Sequence, residues 1–260
     1  MNGILSGADA GNIGLRPAVG RLAFEGLALL PNGVLYYGDE NRPGPTTAGG
    51  AYFKFIPAQP RTVPGPITNL NESPLAAGSV YGLRLGKNGG NTDNGQGTNT
   101  GLGVWVPIPN SNNANLRALS ASNHLTGYYR PEDAEVDPDA FSRGRVRFCG
   151  NNTGNEDTDH TWGETICVTD GLYENVTSNT ATPEVQYFII GTPDFAMMDN
   201  IAFPKWLHPH SREWFPECRE TLKAIRGLMV NTTAGEPVGL RAASHISKEL
   251  SCSGYALIQG

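Results

Sequence analysis

Short apolar segments separated by glycine, proline and asparagine recur along the chain as far as residue 191. Eight of them are rich in β-branched and aromatic residues, which is typical of strands. They are LALL (27–30), GVLYYG (33–38), AYFKFIP (51–57), SVYGLRLG (79–86), GVWVPIP (103–109), RVRFCG (145–150), TICVTD (165–170) and VQYFIIG (185–191). Helical periodicity before residue 205 is confined to a weak stretch near Asn115 to Asn123. The pattern predicts an all-β fold built from hairpins in series.

Two of these hairpins resemble copies of one unit. FEGLALLPNGVLYYGDE (24–40) and PEDAEVDPDAFSRGRVRFCGNNTGN (131–155) each carry a carboxylate, Glu25 or Glu132, six residues before a proline. In both, an apolar or mixed run leads through a turn into a strand that ends in small polar residues. Because the carboxylates occupy equivalent positions, they are expected to converge on one site.

A weaker third copy begins at MDNIAFP (198–204), where Asp199 and Asn200 stand in place of the glutamate. Units of strand, strand, loop and strand that repeat around an axis are the pattern of a β-propeller. A β-sandwich would also fit the number of strands, but it does not predict equivalent ligands at equivalent points. We therefore expect a propeller, incomplete in this chain.

Two stretches depart from the strand pattern. Residues 86–103 (GKNGGNTDNGQGTNTGLG) are dominated by Gly, Asn and Thr, which predicts a flexible insertion, with a calcium-binding loop as the alternative. From residue 205 onward the strand runs stop, and residues 217–228 favour a short helix. The predicted organisation is a partial propeller over residues 1–204 and a divergent tail over residues 205–260.

Composition narrows the classes of partner. The net charge is −6, only 17% of the residues are charged, and no Lys/Arg cluster is present to neutralise phosphates, so nucleic acid is not an expected partner. No apolar run reaches about 18 residues, so no membrane span is expected. The first residues lack a basic region followed by an apolar stretch, so no signal peptide is read.

The four cysteines show no CxxC spacing, which argues against a zinc ribbon or a redox pair. Cys149 and Cys167 lie in two successive predicted strands. They could face each other in one hairpin and form a disulfide, or they could be two buried thiols.

Three sets of oxygen donors are candidate metal ligands. Glu25 lies in an apolar context, where a buried carboxylate needs a cation or hydrogen-bond donors, and a solvated strand end is the alternative. Asp39 and Glu40 follow a strand, where capping of a turn is the alternative. Arg130 and Glu132 flank a rigid proline, which suits a phosphate contact beside a metal ligand, or a surface ion pair.

The third set follows the strand RVRFCG. Asn152, with its neighbours Asn151, Thr153 and Asn155, and then Asp199 and Asn200, supply neutral and acidic oxygens that suit calcium. Each of these residues also suits a turn. The case for a site depends on their recurrence at equivalent positions.

Three motifs in order resemble the PhoX-type alkaline phosphatases, a family of exported bacterial β-propellers. They are FEGLALLPNGVLYYGDENRPG with GGAYFKFIP, RPEDAEVDP with the NNTGN strand end, and DNIAFP. The resemblance covers about residues 15–204. It implies a six-bladed propeller, hydrolysis of phosphate monoesters through a cluster of Fe³⁺ and Ca²⁺, a periplasmic or secreted location and a monomer when complete.

By resemblance, Glu25, Asp39, Glu132, Asp199 and Asn200 match family ligand positions, although Phe24 stands where the family often has His. Glu40 belongs to the same acidic motif as Asp39. The family's iron-ligating Cys segment has no counterpart and is expected before Met1, and KWLHPHSREWFPECRE replaces the family's strand after residue 204.

The leading hypothesis is therefore a metal-dependent phosphatase or an inactive fragment of one, with Arg130 contacting phosphate. A calcium-stabilised propeller that binds a partner without catalysis and a calcium-dependent lactonase are the alternatives.

Overall fold

A computed structural model describes residues 2–3, 7, 9–43, 49–63, 67–86, 99–155 and 160–203. All of them lie in one compact unit, Met1–Phe203. Most of the low-complexity stretch, residues 87–98, and the predicted tail from residue 205 lie outside the described residues, as does the alternative calcium loop.

The described part is mostly β-structure with few helices, so the predicted β-rich class is confirmed. Its strands are β1 Asn2–Gly3, β2 Ile13–Gly14, β3 Leu27–Leu29, β4 Leu35–Gly38, β5 Tyr52–Pro57, β6 Gly78–Leu85, β7 Gly101–Pro107, β8 Pro131–Val136, β9 Arg145–Asn152, β10 Glu164–Leu172 and β11 Glu184–Ile190. The helices are α1 Leu116–Ser122 and α2 Pro138–Ser142, with 3₁₀ turns at Pro17–Val19, Leu70–Glu72, Pro74–Ala76 and Tyr173–Asn175. None of the described helices is long and apolar enough to cross a membrane.

Nine strands form one antiparallel sheet in the order β3-β4-β5-β6-β7-β11-β10-β9-β8, and β1 pairs with β2 separately. The two edge strands, β3 and β8, approach each other, and the N–H of Gly26 donates to the carbonyl of Glu132 at 3.4 Å. The sheet is thus nearly closed and barrel-like, with a seam between β3 and β8. Within the described residues these nine strands form one continuous sheet, and a propeller with six blades stays a prediction.

A tight turn fixes the first hairpin of the sheet. The N–H of Gly33 donates to the carbonyl of Leu30 at 2.9 Å, and the side chain of Asn32 accepts from the N–H of Val34 at 3.1 Å. Gly33 has φ +90, a left-handed conformation that glycine adopts without steric strain. Residues 31–33 thus form the turn between β3 and β4.

Strands β4 and β5 are buried on both faces. Tyr36 and Tyr52 point into the sheet's interior, where their rings pack against Phe148. Their neighbours Tyr37 and Phe53 face outward and are covered by a second apolar cluster that includes residues of the 3₁₀ turn Pro17–Val19 and of α1. This double burial explains why both strands read as nearly continuous apolar runs.

One charged pair lies inside the sheet. Lys54 Nζ on β5 is 2.6 Å from Asp170 Oδ2 on β10, and the two side chains are 1% and 0% exposed. The hydroxyl of Tyr36 donates to the same carboxylate oxygen at 2.6 Å, and the indole N–H of Trp105 donates to the other at 2.8 Å. The donors satisfy Asp170 in an environment where an unpaired charge would be strongly destabilising.

Cys149 of β9 and Cys167 of β10 are direct cross-strand partners and form a disulfide. Of the two alternatives, a disulfide or two buried thiols, the structure has the disulfide. Both half-cystines are buried.

Gly26 at the seam is expected to tolerate no side chain. An added Cβ would lie 1.9 Å from the backbone nitrogen of Ala134, so Gly26→Ala must displace β3 from β8. We expect the free energy of unfolding to fall by about 1 to 3 kcal/mol, as overpacking typically produces. Urea denaturation checks this, with Gly14→Ala as control because its new Cβ meets only the flexible end of Arg16. Equal stability of the two variants would contradict a closed seam.

Candidate functional site

Three carboxylates meet at the seam of the sheet. Glu25 precedes β3, Glu40 follows β4, and Glu132 is the second residue of β8. One carboxylate oxygen from each lies within 4.8 Å of the others. Glu25 is exposed, Glu40 is half-buried and Glu132 is 4% exposed. We call these three residues the carboxylate cluster, and all three were predicted as ligands from the sequence.

Arg130 links two members of the carboxylate cluster. Its Nη2 donates to Glu132 Oε1 at 2.7 Å and to Glu40 Oε1 at 2.9 Å. The backbone of Arg130 has φ +55, which is strained for a residue with a side chain. Two backbone hydrogen bonds hold it there, from its N–H to the carbonyl of Asn41 and from the N–H of Thr153 to its carbonyl. The surrounding structure thus fixes where the guanidinium points.

Burial and neighbouring charge act together on Glu132. Loss of water around its carboxyl raises its pKa most, and the nearby carboxylates of Glu40 and Asp199 raise it further. A hydrogen bond with the side chain of Thr153 and the charge of Arg130 oppose this rise. The pKa of Glu132 is raised overall. A positive charge close to the carboxylate would therefore stabilise its ionised form.

Asp39 is held by an arginine 78 residues away along the chain. Arg117, in α1, donates from Nε to Oδ2 at 2.7 Å and from Nη2 to Oδ1 at 2.8 Å. Oδ1 also accepts from the N–H of Ala23 at 3.1 Å. Asp39 therefore anchors α1 and the segment before β3 instead of joining the carboxylate cluster.

Asn152 points into the sheet's interior. Its Oδ1 accepts from the hydroxyl of Tyr52 at 3.0 Å, and its Nδ2 donates to Glu164 Oε1 at 3.1 Å. With only 1% of its surface exposed, Asn152 supports the interior behind Glu132. The structure does not place it in the carboxylate cluster.

Asp199 and Asn200 are exposed and belong to a segment that runs along β8 and β9. Asn151 Nδ2 donates to the carbonyl of Asp199 at 2.9 Å, and the N–H of Ile201 donates to Asp133 Oδ2 at 3.1 Å. The carboxylate of Asp199 acts on Glu132 through its charge. The structure thus brings Asp199 near the carboxylate cluster without making it a member.

The carboxylate cluster fits a hard cation. Calcium takes oxygen ligands at about 2.3 to 2.6 Å, so oxygens within 4.8 Å of one another can share one ion. Cys149 and Cys167 bond each other and offer no thiolate. Among the described residues the donor set is therefore one of oxygens, which suits Ca²⁺ and also Fe³⁺ held without sulfur.

Comparisons with protein-family models, with curated proteins and with solved structures find no match for this chain. The resemblance to the PhoX-type family is carried by the sequence motifs alone.

Proposed function

We propose that this protein is a metal-dependent phosphatase-like protein that acts on phosphate monoesters at the carboxylate cluster. The observation that supports it is the convergence of Glu25, Glu40 and Glu132, two of which pair with the guanidinium of Arg130. A phosphoryl group is typically bound by a cation and a guanidinium together. The carboxylate oxygens can hold the cation, and Arg130 supplies the guanidinium beside it.

The charges make the cation essential to the proposal. Three carboxylates and one guanidinium carry a formal charge of −3 + 1 = −2, which repels a phosphate dianion. Bound Ca²⁺ would neutralise this charge and bound Fe³⁺ would make it +1, and either ion would polarise the phosphoryl oxygens. Glu25, Glu40 and Glu132 would hold the ion, and Asp199 would add to the negative charge beside them.

Arg130 is the proposed phosphate contact. Its two contacts with the cluster use Nη2 alone, so Nε and Nη1 are not engaged in them. When Glu40 and Glu132 turn toward a cation, the guanidinium is released to donate hydrogen bonds to a phosphoryl oxygen. The substrate class and the six-bladed propeller remain proposals taken from the motifs, as does a monomeric state.

A second candidate function is a calcium-stabilised module that binds a partner without catalysis. The position of the cluster favours it, because Glu25 and Glu132 lie on opposite sides of the seam between β3 and β8. A cation held there would join the two edges of the sheet. Binding would then stabilise the fold through mass action, whether or not any chemistry follows.

The disulfide supports an exported location. Structural disulfides persist in oxidising compartments and are rare in the cytosol. The Cys149–Cys167 bond is therefore in keeping with the periplasmic or secreted location that the motifs imply.

Glu132→Gln is expected to weaken calcium binding at least tenfold, about 1.4 kcal/mol, because it removes the most buried carboxylate of the cluster. Titration calorimetry with calcium chloride measures this. Glu72→Gln is the control, since Glu72 is an exposed glutamate in a 3₁₀ turn outside the cluster. A wild-type protein that binds no calcium would overturn the site.

Hydrolysis of p-nitrophenyl phosphate, with Ca²⁺, Fe³⁺ or a chelator added, separates the two functions. The phosphatase proposal expects metal-dependent turnover that Glu132→Gln abolishes and Arg130→Ala reduces. If calcium raises the melting temperature but no turnover is detected, the result contradicts the phosphatase proposal and supports the non-catalytic binding module.

A further inference from the structure

The buried ion pair of Lys54 and Asp170 has a third partner, the side chain of Asn179. Lys54 Nζ, 2.6 Å from Asp170 Oδ2, also lies 3.3 Å from Oδ1 of Asn179. Asn179 follows the 3₁₀ turn after β10 and has φ +53. An amine, a carboxylate and a carboxamide thus meet at one point, and the lysine is 125 residues from the asparagine along the chain.

The carboxamide of Asn179 is oriented from its other end. Its Nδ2 donates to the backbone carbonyl of Trp105 at 3.3 Å, which directs Oδ1 toward Lys54. The rings of Tyr36 and Trp105 lie 6.0 and 5.9 Å from the lysine nitrogen and shield it from water. The amine thus lies beside the carboxamide, and reacting groups that the fold holds together gain much of the advantage of an intramolecular reaction.

We propose that Lys54 and Asn179 form an intramolecular isopeptide bond, with Asp170 as the proton acceptor. The amine nitrogen attacks Cγ of Asn179, the Cγ–Nδ2 bond breaks, and ammonia leaves. Of the three protons on the lysine ammonium, one stays on the new amide nitrogen, one leaves with the ammonia and one remains on Asp170. The site goes from an ion pair to an uncharged amide and carboxylic acid, so no oxidant or cofactor is needed.

Burial supports the first step. Loss of water around Lys54 lowers its pKa more than Asp170 restores it, which favours the neutral amine that is the nucleophile. Asp170 touches the reacting nitrogen, and its hydrogen bonds from Tyr36 and Trp105 keep it in place. The reaction also removes a buried charge pair, whose desolvation is unfavourable in an apolar interior.

The bond would join β5 to the segment before β11, across a sequence separation of 125 residues. It would be the second covalent link of the sheet after the disulfide between β9 and β10. It would also link β5 to the connection between β10 and β11, which are not neighbours of β5 in the sheet. A link of this length restricts the unfolded chain much as a long-range disulfide does.

Mass spectrometry of the full, reduced and denatured chain tests the proposal. The expected mass is lower than the sequence mass by one ammonia, and a digest should contain a branched peptide that joins Lys54 to Asn179. The loss should survive mild alkaline treatment, which opens succinimides formed at Asn-Gly pairs. A mass equal to that of the sequence, loss of water with a Lys54–Asp170 link, or an ammonia loss at an Asn-Gly pair would each overturn it.

Variants locate the acceptor. Asn179→Ala removes a half-buried side chain and is expected to restore the full sequence mass while the circular dichroism stays that of the folded protein. Asn175→Ala, in the same region and exposed, should keep the ammonia loss. A branched peptide that persists in Asn179→Ala would refute Asn179 as the acceptor. This test is independent of the carboxylate cluster and of any phosphatase activity.

Discussion

Lys54→Met is expected to lower the free energy of unfolding by about 3 to 5 kcal/mol, the usual effect of removing one partner of a buried ion pair. Asp170 would remain inside the sheet with the donors Tyr36 and Trp105 but without its positive neighbour. It must then either stay ionised at a large desolvation penalty or take up a proton. Urea denaturation followed by circular dichroism measures the loss.

Two reference proteins isolate the ion pair. The double variant Lys54→Met with Asp170→Leu should recover part of the stability, because it removes the unpaired buried charge. The recovery is incomplete because the donors of Tyr36 and Trp105 lose their acceptor. Asn179→Ala keeps the ion pair but lacks the proposed cross-link acceptor, so its stability is the correct baseline for the charge alone. A Lys54→Met variant as stable as Asn179→Ala would contradict the role assigned to the pair.

The strands could be predicted because alternation and turn residues are local signals. All eight predicted runs are strands, and the weak helical stretch near Asn115 to Asn123 is α1. Strand β8 was missed because PEDAEV begins with proline and carries three acidic residues. Those features are typical of an edge strand, whose charges discourage pairing with other chains, and β8 is an edge of this sheet.

The carboxylate cluster was foreseen in part because the two repeated hairpins have equivalent places in the sheet. The first, β3 and β4, and the second, β8 and β9, lie at its two ends, and these ends meet at the seam. Glu25 and Glu132 therefore converge, as the repeat predicted. They do so across the seam of one continuous sheet, so convergence of these carboxylates is not by itself a sign of propeller blades.

The ion pairs between residues far apart along the chain could not be predicted from the sequence. Asp39 and Arg117 are separated by 78 residues, and Lys54 and Asp170 by more than that. Lysine at a central position of AYFKFIP gives no local hint of burial, because a single polar residue in a strand is usually solvated. Only the closure of the sheet brings β5 opposite β10, and this is a property of topology that strand propensities do not contain.

Alkaline pH is expected to unfold the protein steeply. Burial raises the pKa of Tyr36, Tyr37, Tyr52 and Tyr128, and nearby acidic groups such as Asp170 raise that of Tyr36 further. In the unfolded chain these phenols ionise near pH 10. A group whose folded pKa is raised contributes stability that is fully present below its unfolded pKa and is lost as the pH rises above it.

The magnitude follows from proton linkage. Each buried phenol lowers the free energy of unfolding by about 1.4 kcal/mol for every pH unit above pH 10. Four such phenols lower it by about 5 kcal/mol per pH unit. A domain with a stability of about 5 to 15 kcal/mol should therefore unfold within about one to three pH units.

Near-ultraviolet absorbance and circular dichroism, recorded together across the alkaline range, test this expectation. Of the nine tyrosines in the chain, the four buried ones should ionise only as the sheet unfolds, so their absorbance change should coincide with loss of the β signal. Tyr37→Phe removes one phenol and its hydrogen bond to the carbonyl of Val19, and it should reduce the slope of stability against pH by about a quarter. If all nine tyrosines ionised near pH 10 while the β signal was unchanged, the buried phenols would have to reach solvent without unfolding, and the packed interior described for β4 and β5 would be wrong.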